Sequence, residues 1–283
     1  MKTRMAGFER DTLTAVGNSK RVWLTHVVVN ALLMVAFFYW LRVPDDNGLD
    51  LGITVLLGAA ILLSTMWLHA ATLDYFHRYY AQSEASFGRA IRATLARVPA
   101  FLIWAAIFAF VLNFTGGAWD YDAQVGGYTR HVLPSFLRSH ASPRGMTSAF
   151  SWLVWIVFYF FVPIVFLPIG AQIAKFNFRG FIGRPLLATF RPVRSVRFWI
   201  VYVVCFVVGA YVPFVLANVD PRQHVSLHYQ TASMVARLGI AYLLLITAWL
   251  VICSAMTRVM EGRQEAAAVD SRIDPVEPAA TKA

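Results

Sequence analysis

The stretch Leu51-Gly-Ile-Thr-Val-Leu-Leu-Gly-Ala-Ala-Ile-Leu-Leu-Ser-Thr-Met-Trp-Leu-His-Ala-Ala-Thr72 decides the fold. It carries no charged side chain, and apolar residues occupy every face of the helix it would form. A helix crosses the hydrocarbon layer of a bilayer with roughly 20 such residues. That layer holds no water, so the backbone must bond to itself, and the run is expected to be helical. A barrel strand would alternate at period two, and this run does not.

Five further runs have the same character: Val22–Leu41, Val98–Asn113, Phe150–Ala171, Trp199–Ala217 and Val235–Met256. Val98–Asn113 is short and is expected to begin inside the segment before it. The first run has no small-residue cleavage site after it; Tyr39-Trp40-Leu41-Arg42 follows instead, an interfacial aromatic pair and a charge. It reads as a retained helix. The whole chain agrees: 283 residues, 58% hydrophobic, 14% charged, mean hydropathy +0.57. Soluble domains are about 45–50% apolar and about 25% charged. A soluble enzyme, a disordered chain and a fibrous protein are excluded. The expectation is an all-α polytopic membrane bundle of six transmembrane helices. It divides into an N-terminal segment 1–21, a membrane domain 22–257 and a tail 258–283 that reads as disordered. Residues 1–18 are expected to be mobile.

Lysine and arginine set the orientation. Of 25 such residues, 19 lie in the N-terminal segment, the second and fourth connections and the tail. By the positive-inside rule both termini are cytoplasmic, in a bacterial inner membrane. The net charge of +10 is then mostly a topology signal. No nucleic-acid motif accompanies it, so nucleic acid is not an expected partner.

A shift of 95 residues brings Gly88-Arg89 onto Gly183-Arg184, Ala93-Thr94 onto Ala188-Thr189, Val98 onto Val193 and Trp104 onto Trp199. The same shift lays the second span over the fourth and the third over the fifth, in one orientation. This is the pattern of a parallel internal repeat. Each unit contains a basic connecting segment. In the first, Phe87, Ile91, Leu95 and Val98 share an arc at 100° per residue, Arg89, Arg92 and Arg97 fall away from it, and Ser86 stands at the N-cap position. The counterpart holds Arg184, Arg191 and Arg194, with Pro185 near its start and Pro192 breaking it. These are expected to be two amphipathic segments lying in the interface. Their six arginines are candidates for anionic lipid headgroups, the alternative being topogenic charge alone.

The stretch Ser-Phe-Gly-Arg-Ala-Ile-Arg-Ala-Thr-Leu-Ala-Arg-Val-Pro over 86–99, set between two membrane helices, resembles a group of uncharacterised bacterial six-helix membrane proteins. It also resembles the membrane domain attached to some glycerophosphodiester phosphodiesterases. The similarity spans about residues 50–215. It implies a multi-pass fold and carries over no catalytic residue.

Chemistry-bearing side chains are sparse. All 15 acidic residues read as loop, tail or span-end positions, with Asp74 just past the second span. His26 and Asn30 share a face of the first span, and His69 lies at similar depth on the second. A paired-imidazole site for haem or metal stands against two separately satisfied histidines. On the opposite side lie Asp120, Asp122 and His131 in the long connection 114–148, and His224 and His228, four apart, in the last loop. They are candidate metal ligands, weighed against exposed loop histidines. Val132, Leu133, Phe136 and Leu137 suggest a short surface helix. Phosphate-binding loops, nucleophile elbows and paired cysteines are absent, and no cofactor is expected. The leading reading is a non-enzymatic membrane protein that organises lipid or protein. The alternatives are a transporter built on the repeat and an enzyme using the outer histidines.

Overall fold

A computed structural model describes residues 2–44, 47–81, 85–138, 140, 142–219 and 226–273. All regular structure in them is helical: α1 (Lys2–Asn18), α2 (Lys20–Trp40), α3 (Gly48–Tyr80), α4 (Phe87–Thr94), α5 (Val98–Gly116), α6 (Asp122–Val132), α7 (Ser135–Arg138), α8 (Pro143–Ile156), α9 (Val162–Phe176), α10 (Gly183–Ala188), α11 (Phe190–Val193), α12 (Val196–Phe206), α13 (Val212–Ala217) and α14 (Leu227–Ile273). Among the described residues five helical runs are long and apolar enough to cross a membrane: Lys20–Trp40, Gly48–Tyr80, Phe87–Phe114, Val196–Ala217 and His228–Glu261. The protein is a helical membrane bundle. The third run does begin inside the preceding basic segment, with the 3-10 turn Leu95–Arg97 joining α4 to α5. The remaining apolar run, Phe150–Ala171, falls on α8, the π turn Val157–Phe161 and α9.

Both π turns stand immediately before a Val-Pro pair, Val162-Pro163 and Val212-Pro213. Proline has no N–H to donate and its ring collides with the preceding turn. A locally widened turn relieves that collision. The Tyr202 hydroxyl donates to the Phe160 carbonyl within the first widened turn, at 2.8 Å.

Close approach is bought with glycine. The Trp104 indole lies over Gly170, where a Cβ would come within 3.3 Å of the ring, and donates to the Phe166 carbonyl. Trp40 lies over Gly58 and donates to the Thr54 carbonyl. Gly209 meets Ala248 so closely that a Cβ would stand 2.4 Å from the alanine methyl.

Burial is concentrated at the end of the bundle that carries most of the basic residues, called here the basic end. The buried residues of α3 run from Leu68 to His77, whereas Leu51, Val55 and Leu56 at its other end are exposed. Phe76, Phe101, Ile164, Phe198 and Leu250 fill the centre. Exposed apolar side chains along the spans face lipid, which solvates them as well as protein does.

Three expectations are corrected here. Residues 2–18 form a helix docked on α14 through Phe8, Thr12, Ala15 and Val16. The segment after 257 is helical as far as Ile273, because α14 continues unbroken past the apolar run. The connection 114–148 folds mainly as an α6–α8 hairpin: Gly126 abuts the Thr147 backbone, and Ser151 donates to Asp122 at 2.9 Å. The helix expected near 132–137 is only the single turn α7.

Candidate functional site

The densest polar arrangement lies at the basic end and joins α3, α9 and α14. α3 does not stop at Thr72 but continues to Tyr80, which carries Asp74 and His77 inward. Asp74, 4% exposed, accepts from Arg97 Nη1 at 2.6 Å and Arg78 Nε at 2.7 Å. Arg97 also donates to the Ala174 carbonyl of α9. One turn further along α3, His77 faces Glu261 Oε1 at 2.8 Å through Nδ1 and the Ala171 carbonyl at 3.0 Å through Nε2. Both neighbours are acceptors, and an imidazole donates from both nitrogens only as the imidazolium. Lys175 Nζ reaches the same Glu261 oxygen at 2.5 Å. A single carboxylate on α14 thus clamps α3 and α9.

Glu261 lies beyond Met256, where the apolar run of α14 ends. Burial pushes its carboxyl up, and the hydrogen bonds and charges of His77 and Lys175 outweigh burial and hold it below the ordinary carboxylate value. The cluster continues outward. Gln172 donates to Met260 Sδ at 3.5 Å, and Tyr80 pairs with Ser254 at 2.7 Å. Arg258 reaches Asp11 at 2.5 Å and the Phe8 carbonyl, fastening α1. Asn177 closes α9 at φ 57°, a left-handed value unusual for a residue with a side chain. Gly180 then packs on the Gln172–Ile173 backbone, where a Cβ would sit 2.7 Å from the Ile173 nitrogen.

Two acidic positions therefore depart from the sequence reading. Asp74 is buried inside α3, and Glu261, assigned to a disordered tail, is buried between three helices. Asp74 and Arg78 are four apart, a pairing the helix period exposes once α3 is known to continue. Nothing in the sequence marks Glu261 as their neighbour.

The six arginines separate. Arg89 and Arg92 are exposed on α4, whose Phe87 and Ala90 are buried against the bundle. Arg184 and Arg194 are exposed as well. Arg97 is drawn to Asp74, because the 3-10 turn before it advances 120° per residue and not the 100° assumed for a continuous α-helix. Arg191 is half-buried and reaches the Met260 carbonyl at 3.4 Å. Leu95, expected on the buried arc, is exposed for the same change of phase.

The candidate histidines do not form a paired site. His26 is buried, with Nε2 2.6 Å from Thr72 Oγ1 and Nδ1 3.2 Å from Asn30 Nδ2. The Thr72 hydroxyl donates to the Leu68 carbonyl, so His26 donates from Nε2 and accepts at Nδ1. Neither nitrogen is left for a metal. His69 instead stacks on Trp249 at 4.2 Å between ring centroids. On the opposite side Asp120, His131 and His228 are exposed. Among the described residues no three His, Cys, Asp or Glu side chains converge as metal ligands. His224 lies outside the described residues.

A second feature is a groove of about 490 Å³ between α1, α12 and α14, almost wholly apolar, with Glu9 and Thr12 at one end. No family model, curated protein or solved structure matches the chain.

Proposed function

We propose that the chain is a six-span integral membrane protein without catalytic activity that organises the bilayer around it by holding anionic lipid at its cytoplasmic face. The observation that carries this reading is the exposure of Arg89, Arg92, Arg184 and Arg194 at the basic end, while the apolar side of α4 is packed on the bundle. Each cation near a charged leaflet contributes about 1 kcal/mol to attraction. Charge places the basic end, and both termini, in the cytoplasm of a bacterial cell. Phe150–Ala171 is the sixth span.

The parallel repeat is part of the same proposal, and the helix boundaries support it. A shift of 95 residues moves α3 (Gly48–Tyr80) onto 143–175, against α8 to α9 at Pro143–Phe176. It moves α4 (Phe87–Thr94) onto 182–189, against α10 at Gly183–Ala188. A transporter built on that repeat is the second reading, favoured by the two π turns at Pro163 and Pro213. It needs a polar path, and the centre is packed with Phe76, Phe101, Ile164, Phe198 and Leu250.

Native mass spectrometry of the purified protein incubated with phosphatidylglycerol and phosphatidylcholine tests the proposal. Preferential retention of phosphatidylglycerol, lost when the four arginines are changed to glutamine, is the expected result. Equal retention of both lipids by the wild-type chain overturns it.

A further inference from the structure

The groove between α1, α12 and α14 is independent of the four arginines. Along α14 it runs from Ile240 to Val251, and the helical rise makes that about 16 Å. The hydrocarbon core of a bilayer is about 30 Å thick, so the groove has the depth of one leaflet. It lies within the apolar run Val235–Met256 and reaches α1, at the basic end, through Glu9, Thr12 and Leu13. A transmembrane helix of a partner would need a groove twice as long. An acyl chain of one leaflet fits its length, its apolar lining and its volume of about 490 Å³.

The mouth states the headgroup. Glu9 is the one charged residue among those lining the groove. Arg197 stands three residues before the lining residue Ile200, on the same face of α12 and one turn nearer the headgroup level. A carboxylate on one wall and a guanidinium on the other complement an ammonium and a phosphate. The carboxylate accepts hydrogen bonds, which a primary ammonium offers and a quaternary one does not.

We infer that this groove is a binding site for one zwitterionic phospholipid with a primary amine headgroup, its acyl chain between α12 and α14, its ammonium on Glu9 and its phosphate toward Arg197. The test offers the detergent-purified full chain an equimolar mixture of phosphatidylethanolamine, phosphatidylcholine and phosphatidylglycerol with identical acyl chains. Native mass spectrometry reads the lipid retained. One phosphatidylethanolamine per chain is expected, preferred over phosphatidylcholine by about tenfold, the factor of one charge-assisted hydrogen bond. Glu9→Gln brings that preference close to unity with the fold unchanged. Val204→Trp, at a position 56% exposed on the groove wall, removes the retained molecule. Thermal unfolding of each variant separates loss of lipid from loss of fold. If Val204→Trp does not fold, the Glu9→Gln comparison decides alone. No preference in the wild-type chain, or a preference untouched by Glu9→Gln, overturns the inference. Retention of phosphatidylglycerol alone, sensitive to the four arginines and not to Glu9, supports the anionic-lipid reading and overturns this one.

Discussion

Asp74 holds two arginines while it is 4% exposed. Removing one member of a buried ion pair leaves uncompensated charge and costs about 3–5 kcal/mol. Asp74→Asn is therefore expected to lower stability by that amount in mixed-micelle unfolding. Arg78→Ala should cost at most about 1 kcal/mol, because its side chain is 33% exposed and water screens the pair. Equal effects from the two substitutions would show that Asp74 is not the organising charge. Glu261 makes a prediction in pH. Its folded-state value lies below its unfolded value, so its contribution is complete above the ordinary carboxylate range and is lost as pH falls through the folded-state value. Acid unfolding of wild-type chain should therefore show a loss of stability that is absent in Glu261→Gln. These residues were only half legible in sequence. Asp74 could be read as near a span, but a carboxylate's partner 23 or 187 positions away is a matter of packing.

The helical elements follow from composition more directly, and their irregularities from single residues. Proline at 163 and 213 sets a π turn before it, and the glycines at 58, 170 and 209 set how near two helices come. Gly209→Ala is expected to cost about 1–3 kcal/mol, since the new methyl would overlap Ala248 and force α12 from α14. Ala248→Gly added to it should recover part of that loss, and a double variant no better than Gly209→Ala would count against the contact. The short turn Leu95–Arg97 has consequences out of proportion to its length. It rotates everything after Thr94, sending Leu95 outward and Arg97 inward. An extrapolation at constant helical period has no means of finding such a turn, because 3-10 and α geometry differ little in local preference.

At the scale of the whole molecule the basic end acts as a clasp. α1, α3, α9 and α14 are tied there by Arg258 to Asp11, His77 and Lys175 to Glu261, and Arg97 to Asp74 and Ala174. The opposite end leaves apolar residues such as Leu56, Phe110 and Phe114 exposed to lipid. Truncation after Met256 keeps all six apolar runs intact, yet it removes Arg258 and Glu261. It is expected to destabilise the protein strongly and to release α1 to proteolysis, whereas truncation after Ile273 should be close to neutral. Similar stability of the two truncated chains in detergent would refute the clasp.

The sequence by itself determined that the chain is helical and built for a bilayer, and roughly where its apolar runs begin and end. Those properties depend on residue type summed over about 20 neighbours, and a bilayer enforces them on each segment separately. Only the tertiary structure decided which charges are buried, which arginines stay at the surface, that α1 and the end of α14 belong to the bundle, and that a leaflet-deep groove opens beside Glu9. Each of these depends on the relative rotation and approach of helices far apart in the chain. A glycine contact, a widened turn or a change of helical phase shifts that geometry without altering the hydrophobic pattern.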